Sequence, residues 1–408
     1  MRARVRLHDV TVGHLEQTGD LTTFRFLRSY LDLPERPVLG RWFEDRLGDD
    51  VVAKRSQGEL PAFFQNVLPE TNSALRTLLA RRAGVPENRE LRLLLALGED
   101  LPGAMVVESA NGAEEGDEAA AAAGRAIVED AAPSGPLRFS LAGMQLKLSV
   151  LLRDEKLTLT ATGAGGRYIL KLPTATLAGL PRNEHAIMTW AREAGMTVAT
   201  TRIVAVDDVE NLPAELALPE DEALLVERFD RPAAGGRRIH QEDFAQVFGV
   251  PPTEKYGREA SVTFDRMGKV LARVAGRPDF EEFVRRLVFS ILCNNPDAHL
   301  KNWSFWYPDP RRPRLSPAYD LVSASAYPGV DRRLACRLAN EWNPAAIRTH
   351  HFGVLASRAG YDAKDGVALA EAAGQRIRDV WRDLSTRVEV PDHLRSVVTA
   401  HLGQTKFP

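Results

Sequence analysis

The hydrophobic period changes once along this chain, and that change limits its fold more than any single motif does. From 137 to 230 the apolar residues come in short runs and alternations. Lys147-Leu148-Ser149-Val150-Leu151-Leu152, Leu157-Thr158-Leu159-Thr160, Tyr168-Ile169-Leu170-Lys171-Leu172 and Ala223-Leu224-Leu225-Val226-Glu227 read as strands. One helix interrupts them, from about Arg182 to Ala194, closed by Gly195. Beyond 240 the spacing turns helical. Apolar residues at 280, 283, 284, 287, 288, 291 and 292 mark a firm helical face, and two or three more helices fill 349 to 402. A strand-rich block with one helix thus precedes a helical block.

The N-terminal region has its own order. Residues 2 to 28 alternate as strands do, as in Val5-Arg6-Leu7-His8-Asp9-Val10-Thr11-Val12. A short helix in Glu59 to Pro69 follows. Thr71 or Asn72 suits the cap of a second, through Leu75, Leu78 and Leu79 to Ala83-Gly84. A third covers roughly 87 to 97, and Gly103 to Val107 closes the block as a strand. Either a compact accessory domain or an insertion packed on the next domain fits this pattern. Residues 109 to 135 are acidic, then alanine-rich, then Pro-Ser-Gly-Pro, and read as a solvated linker holding a short helix. No internal repeat occurs. The expected division is 1–108 as an accessory subdomain, 109–136 as linker, 137–230 as a strand-rich lobe and 231–408 as a helical lobe.

Composition narrows the classes of function. The 408 residues are 44% hydrophobic and 26% charged, as in soluble globular proteins. A net charge of −2 argues against binding DNA alone through a broad basic surface. Only Cys293 and Cys336 occur, which fits a reduced, cytoplasmic compartment and excludes a disulfide scaffold or a Cys-rich zinc site. Asp9, His14, Glu16 and Asp20 stand where a signal peptide needs an apolar stretch, and no run is long enough to span a bilayer.

The chemistry concentrates in Asn294-Asn295-Pro296-Asp297-Ala298-His299-Leu300-Lys301-Asn302. Asp297 is followed at D-x-x-x-x-N spacing by Asn302, and Asp320 comes eighteen residues later. A protein kinase catalytic loop has this spacing: the first Asp takes the proton of the attacking hydroxyl, and the Asn and the later Asp hold Mg²⁺. Asp and Asn are common in loops, so the spacing gains force from what lies upstream. Lys171 sits mid-strand, where its ammonium must find an anion or reach water. A kinase strand lysine contacts the nucleotide phosphates and pairs with a helix glutamate, and Glu184 opens the next helix. An edge-strand lysine facing solvent is the plainer alternative.

Other residues have two readings each. In Ser140-Leu141-Ala142-Gly143-Met144-Gln145-Leu146-Lys147, small residues let backbone N–H groups approach phosphate oxygens, with Lys147 adding charge. A hairpin turn between two strands, the first being Arg138-Phe139-Ser140-Leu141, explains them as well. Glu227-Arg228-Phe229 stands where a hinge meets adenine, or simply ends a strand. His299 beside Asp297 suits a metal ligand only with a third partner, and His350-His351 lies too far along the chain to assign. A structural or phosphate-facing role fits it better. Trp303, Phe305 and Trp306 read as strand core.

Together these residues resemble the HipA family of serine/threonine kinases, the toxins of bacterial HipBA toxin–antitoxin pairs. The resemblance rests on the 140–147 segment, Ile169-Leu170-Lys171-Leu172-Pro173, Val226-Glu227-Arg228-Phe229-Asp230-Arg231, His240-Gln241-Glu242-Asp243, Asp297 to Asn302 and Tyr319-Asp320. Phe64-Gln65-Asn66-Val67-Leu68-Pro69 and Gly98-Glu99-Asp100 before Gly103-Ala104 extend it into the N-terminal block. It implies an α+β, two-lobed, protein-kinase-like fold with an additional N-terminal α/β subdomain. It also implies ATP and Mg²⁺ as cofactors, with Asp297, Asn302 and Asp320 catalytic and the last two on the metal. Ser140, Ala142, Gly143, Gln145, Lys147, Lys171, Glu227, Phe229 and His299 would meet the nucleotide, and Ser140 would be an autophosphorylated off-switch. The implied partners are a HipB-like helix-turn-helix antitoxin, operator DNA only through that antitoxin, and a protein substrate such as glutamyl-tRNA or another aminoacyl-tRNA synthetase. Met144 and Leu146 make the phosphate loop more apolar than the family pattern, and the acidic linker bears on how an antitoxin would dock. A catalytically silent kinase-fold regulator that binds a DNA-binding partner is the alternative, and a small-molecule kinase a third. Retention of Asp297, Asn302, Asp320 and Lys171 argues against a silent module.

Overall fold

The structure is a computed structural model that describes residues 1–47, 52–55, 58–110, 145–153, 156–159, 166–212, 216, 218–232, 236–257, 262–327, 329–387 and 390–407. The expected alanine-rich linker helix and the strand at 138–141 lie outside the described residues.

The N-terminal sheet comprises β1 (Arg2–Leu7), β2 (Val10–Thr18), β3 (Leu21–Phe26), β4 (Val52–Arg55) and β5 (Met105–Ser109). Their spatial order is β4-β3-β2-β1-β5, antiparallel throughout. Alternation sets the buried face: Ala3, Val5 and Leu7 are inside, Arg4 and Arg6 half-exposed. Phe24, Phe43, Phe63 and Phe64 pack beneath it, the Phe24 and Phe64 rings 4.9 Å apart. The helix Ala74–Ala83 is capped by neither Thr71 nor Asn72. Ser73 is the cap, its Oγ accepting from Arg76 N at 3.2 Å, while Asn72 takes a left-handed turn at φ 63°. A third helix spans Glu90–Leu97.

These elements make one N-terminal unit. It has its own sheet and core, and it is packed hard against the rest of the chain. The carboxyl group of Glu242 is fully buried, its oxygens accepting from Arg41 N at 2.9 and 3.0 Å and from Tyr307 OH at 2.5 Å. Gln246 Nε2 donates to Phe63 O at 3.1 Å. Asp230 Oδ2 accepts from Gly103 N at 2.7 Å, and Arg231 donates to the carbonyls of Leu101 and Gly103 at 2.8 Å each. Gly103 is required here: its φ is +76°, and a Cβ would meet Gln241 N at 2.7 Å.

The second sheet comprises β6 (Lys147–Arg153), β7 (Lys156–Leu159), β8 (Tyr168–Lys171), β9 (Thr201–Ala205), β10 (Val209–Glu210) and β11 (Glu222–Glu227), in the order β10-β7-β6-β8-β11-β9. Only the β10–β7 pair is parallel. β8 is therefore interior, which removes the edge-strand reading of Lys171. The helix Leu180–Glu193 packs against this sheet and stops at Ala194, before Gly195 at φ +95°.

The helical lobe contains Phe264–Val274, Arg277–Leu292, Thr349–Ala359, Ala363–Arg387 and Asp392–Gln404. All seven apolar positions read along 280–292 are buried. A small third sheet, β12 (His240–Asp243), β13 (Ser304–Tyr307) and β14 (Arg314–Leu315), carries the chain out of the loop at 297–302. Trp303 and Phe305 are core, as expected; Trp306 is half-exposed. Trp190 joins the strand-rich block to the helical one. It is fully buried, 4.9 Å from the Phe289 ring and 4.5 Å from the Trp381 ring, and donates Nε1–H to Ile377 O at 2.9 Å. No helix among the described residues is long and apolar enough to cross a membrane.

Candidate active site

Two lysines face each other across neighbouring strands. In the β6–β8 register Lys147 stands opposite Lys171. Two ammonium groups on one face of an interior sheet need anions, and the chain supplies two. Glu184 comes from the helix behind the sheet and is ion-paired with Lys171; their side chains are 2% and 4% exposed. Asp320 pairs with Lys171 and also with Lys147, at 2.6 Å. Burial pushes Asp320 upward, but Lys147 and Lys171 outweigh it and hold the carboxyl well below the usual carboxylate range. Burial pulls Lys171 down, and Asp320 and Glu184 more than offset that. Glu184, the deepest of the set, is pushed up by burial.

The backbone presents Asp320 in an uncommon way. Its φ is +54°, in the left-handed region that Asp and Asn tolerate better than other residues with side chains. The residues before it are pinned. Ala318 O accepts from Ala199 N at 2.9 Å, and Tyr319 OH donates to Lys301 O at 2.9 Å.

The 294–302 loop leaves the helix Arg277–Leu292 through Asn294, also left-handed at φ 62°. Asn295 Oδ1 accepts from Asp297 N at 3.1 Å, and His299 N donates to Asp297 O at 2.8 Å. Asn302 Nδ2 donates to the same carbonyl at 3.0 Å, which ties the two ends of the D-x-x-x-x-N spacing together. Tyr256 OH donates to Asp297 Oδ1 at 2.7 Å.

A small cavity gathers Gln145, Lys147, Lys171, Asp297, Asn302 and Asp320 on its wall. A larger one of about 680 Å³ shares Gln145, Lys147, Asn302 and Asp320 with it. Its other walls include Ile169, Arg228, His299 and Lys301, and Leu75, Leu79 and Leu97 of the N-terminal unit. That volume suits a small-molecule ligand. His299 is 1% exposed, and among the described residues neither ring nitrogen has a hydrogen-bond partner. Burial, then the charges of Lys255 and Lys301, hold its pKa well below the ordinary value, so the ring is neutral. Among the described residues no group of three or more His, Cys, Asp or Glu is placed to hold a metal. Asp320 and Asn302 offer a different donor set: an ionised carboxylate and an amide oxygen whose own nitrogen is already engaged. Hard oxygen donors, one or two in number, are what Mg²⁺ takes from a protein when nucleotide and water fill its other positions.

Of the residues singled out from sequence, Gln145, Lys147, Lys171, Asp297, Asn302 and Asp320 come together, and His299 adjoins them. Glu227 and Phe229 line neither cavity. Glu227 pairs with Arg167 at 2.7 Å, and the Phe229 ring packs 6.1 Å from Trp306 and 5.9 Å from Tyr319. Arg228, between them, reaches the larger cavity. Ser140, Ala142 and Gly143 lie outside the described residues. Tyr256 was missed, and so were its neighbour Lys255 and the Glu70 that pairs with Lys255; Asn66 stood in the 64–69 motif without a role. Tyr256 lies 41 residues from Asp297, and no local pattern links them.

Residues 3–108 match the model of the HipA N-terminal domain, and residues 139–387 that of the HipA-like C-terminal domain. The chain belongs to the HipA family. Among curated relatives, "Putative kinase Y4dM" of Sinorhizobium fredii is 40% identical over 402 residues, 97% of this chain and 95% of its own. "Serine/threonine-protein kinase toxin HipA" of Shewanella oneidensis is 27% identical over 328 residues, 74% of this chain and 71% of its own. A solved structure of Shewanella oneidensis MR-1 HipA, with HipB and operator DNA, matches at TM-score 0.73 and 23% identity, covering 99% of this chain and 95% of that one. At that identity the likeness is one of fold. The HipA fold seen here is α+β and kinase-like, and kinase is the activity that the relatives' names carry.

Proposed function

We propose that this HipA-family protein is an ATP- and Mg²⁺-dependent serine/threonine kinase and the toxin of a toxin–antitoxin pair. The observation that carries the reading is the convergence of Lys171, Glu184, Asp320, Asp297 and Asn302, from two lobes, on one small cavity. Bound MgATP would supply the phosphoryl group and the metal charge. Asp297 takes the proton of the acceptor hydroxyl, Asn302 and Asp320 hold the metal, and Lys171, steadied by Glu184, meets the phosphates. Lys147, Gln145 and His299 complete the phosphate end, a role proposed also for Ala142 and Gly143, and the backbone of the Glu227 to Phe229 segment, whose Glu227 and Phe229 side chains line neither cavity, serves the base end. The chain's working units are 1–108, a linker at 109–136, and lobes at 137–230 and 231–408.

Phosphorylation of Ser140 by the kinase itself is the proposed off-switch. It adds a charge of roughly −1.5 to −2 beside the nucleotide phosphates. The protein substrate is an aminoacyl-tRNA synthetase, and its modification slows translation in the cytoplasm. The partner is a HipB-like helix-turn-helix antitoxin, through which the kinase meets operator DNA. The Shewanella HipA solved with HipB and operator DNA supports that part. Phosphoproteomes of cells expressing the wild type and Asp297→Ala test the whole. New Ser/Thr sites confined to the wild type, including one on a synthetase, are expected. Identical phosphoproteomes contradict it.

A further inference from the structure

Two lysines stand at the loop 297–302, Lys301 within it and Lys255 bonded to it, and the N-terminal domain holds both. Lys301 immediately precedes Asn302. Its Nζ donates to Asn66 O at 2.7 Å, Asn66 Oδ1 at 3.2 Å and Asp243 Oδ2 at 3.0 Å. Asn66 is buried and itself fixed, its Nδ2 donating to Ala62 O and Val250 O at 2.8 Å each. Lys255 is the second. Its Nζ lies 2.5 Å from Glu70 Oε1, and its carbonyl accepts from Leu300 N at 3.0 Å. The next residue, Tyr256, donates to Asp297 Oδ1. A stretch of five residues, Asn66 to Glu70, thus reaches the 300–302 end of the loop through Lys301 and the backbone of Lys255, and the Asp297 end through Tyr256, the neighbour of Lys255.

General domain adhesion does not need this arrangement. Glu242, Gln246, Asp230 and Arg231 already join the two units through hydrogen bonds that involve no residue of 297–302. The Asn66 and Glu70 contacts are of another kind, because each ends one covalent step from a residue of the candidate site or from its hydrogen-bond partner. Lys255 is 6% and Lys301 15% exposed, so each ammonium depends on its fixed partner rather than on water.

We infer that the Asn66–Glu70 segment is a positioning element for Asp297 and Asn302. It acts through Lys301 on the Asn302 end, and through Lys255 and Tyr256 on the Asp297 carboxylate. Docking of the N-terminal domain thereby sets the geometry of the loop, so the isolated lobes would hold a complete set of catalytic residues in poor register. The kinetic consequence rests on the kinase reading; the structural one does not.

The test uses the full chain with Glu70→Gln, Asn66→Ala and Tyr256→Phe. Amides of 297–302 should exchange hydrogen about tenfold faster or more in Glu70→Gln and Asn66→Ala, with β1–β3 protection unchanged. All three variants should lose about 10- to 100-fold in kcat while the KM for ATP stays within about twofold, as expected of misplaced rather than missing groups. Glu70→Asp should recover most of the loss. Tyr256→Phe removes one hydroxyl, so its loss should come without a change in Tm. Unchanged exchange at 297–302, or a rise in KM matching the fall in kcat, overturns the inference. Absence of transfer by the wild type would overturn the kinase reading alone, since exchange still judges the clamp.

Discussion

Lys147 and Lys171, on adjacent strands, share the Asp320 carboxylate, the former at 2.6 Å. The residue best suited to bind a divalent cation is thus already neutralised by the side chains best suited to bind phosphate. On the proposed kinase reading, cation and nucleotide would be coupled here: each ammonium that turned to a phosphate would free a carboxylate oxygen of Asp320 for the metal.

That coupling makes Asp320→Asn informative. The wild type should bind ATP at least about tenfold more tightly with Mg²⁺ than without it, and the variant should lose that difference, since a neutral amide is a weak ligand for a hard cation. Calorimetric titrations with and without Mg²⁺ read it directly. A variant that keeps the full metal dependence removes Asp320 from the metal site.

Glu242 gives the interdomain contact a pH dependence of known sign. Burial pushes its carboxyl from an ordinary 4.5 up to about 8. The folded protein therefore keeps a proton that the unfolded chain releases across that window, and stability falls as pH rises from 4.5 to 8. The slope is at most about 1.4 kcal/mol per pH unit for one group. Glu242→Gln, which cannot ionise, should flatten the decline in urea denaturation between pH 5 and 8. Parallel curves for the two proteins would show that the contact is not proton-linked.

Trp190 should be the costliest single truncation among the residues joining strand-rich and helical blocks. Trp190→Ala removes the largest fully buried side chain among the described residues, together with its Nε1–H bond to the Ile377 carbonyl, for a loss of about 3–5 kcal/mol. Equilibrium denaturation checks it, and a loss below about 1 kcal/mol would mean the lobes repack around the gap.

The legible parts of this protein were the local ones. The face along 280–292, the D-x-x-x-x-N loop and the Lys171–Glu184 pair all follow from spacing, because a helix, a turn and a strand–helix step keep such residues close. The cap at Ser73 rather than Asn72 turned on one residue's left-handed φ, which composition does not encode. What Tyr256, Glu70 and Asn66 touch was invisible for a different reason. Their partners are 41, 185 and 235 residues away, and only tertiary packing brings them together. Glu227 and Phe229 show the converse: the motif is local, but side-chain direction sends one to Arg167 and the other to Trp306 and Tyr319.

The central claim is phosphoryl transfer with Asp297 as the residue that takes the hydroxyl proton. Purified full-length protein, incubated with Mg²⁺ and ATP labelled at the γ-phosphate, should transfer label to serine or threonine, on itself or on an added synthetase. Asp297→Ala should bind ATP with affinity within about threefold of the wild type and transfer at least about 100-fold more slowly. Transfer by Asp297→Ala at the wild-type rate, or none by the wild type with any synthetase or on itself, would contradict the assignment.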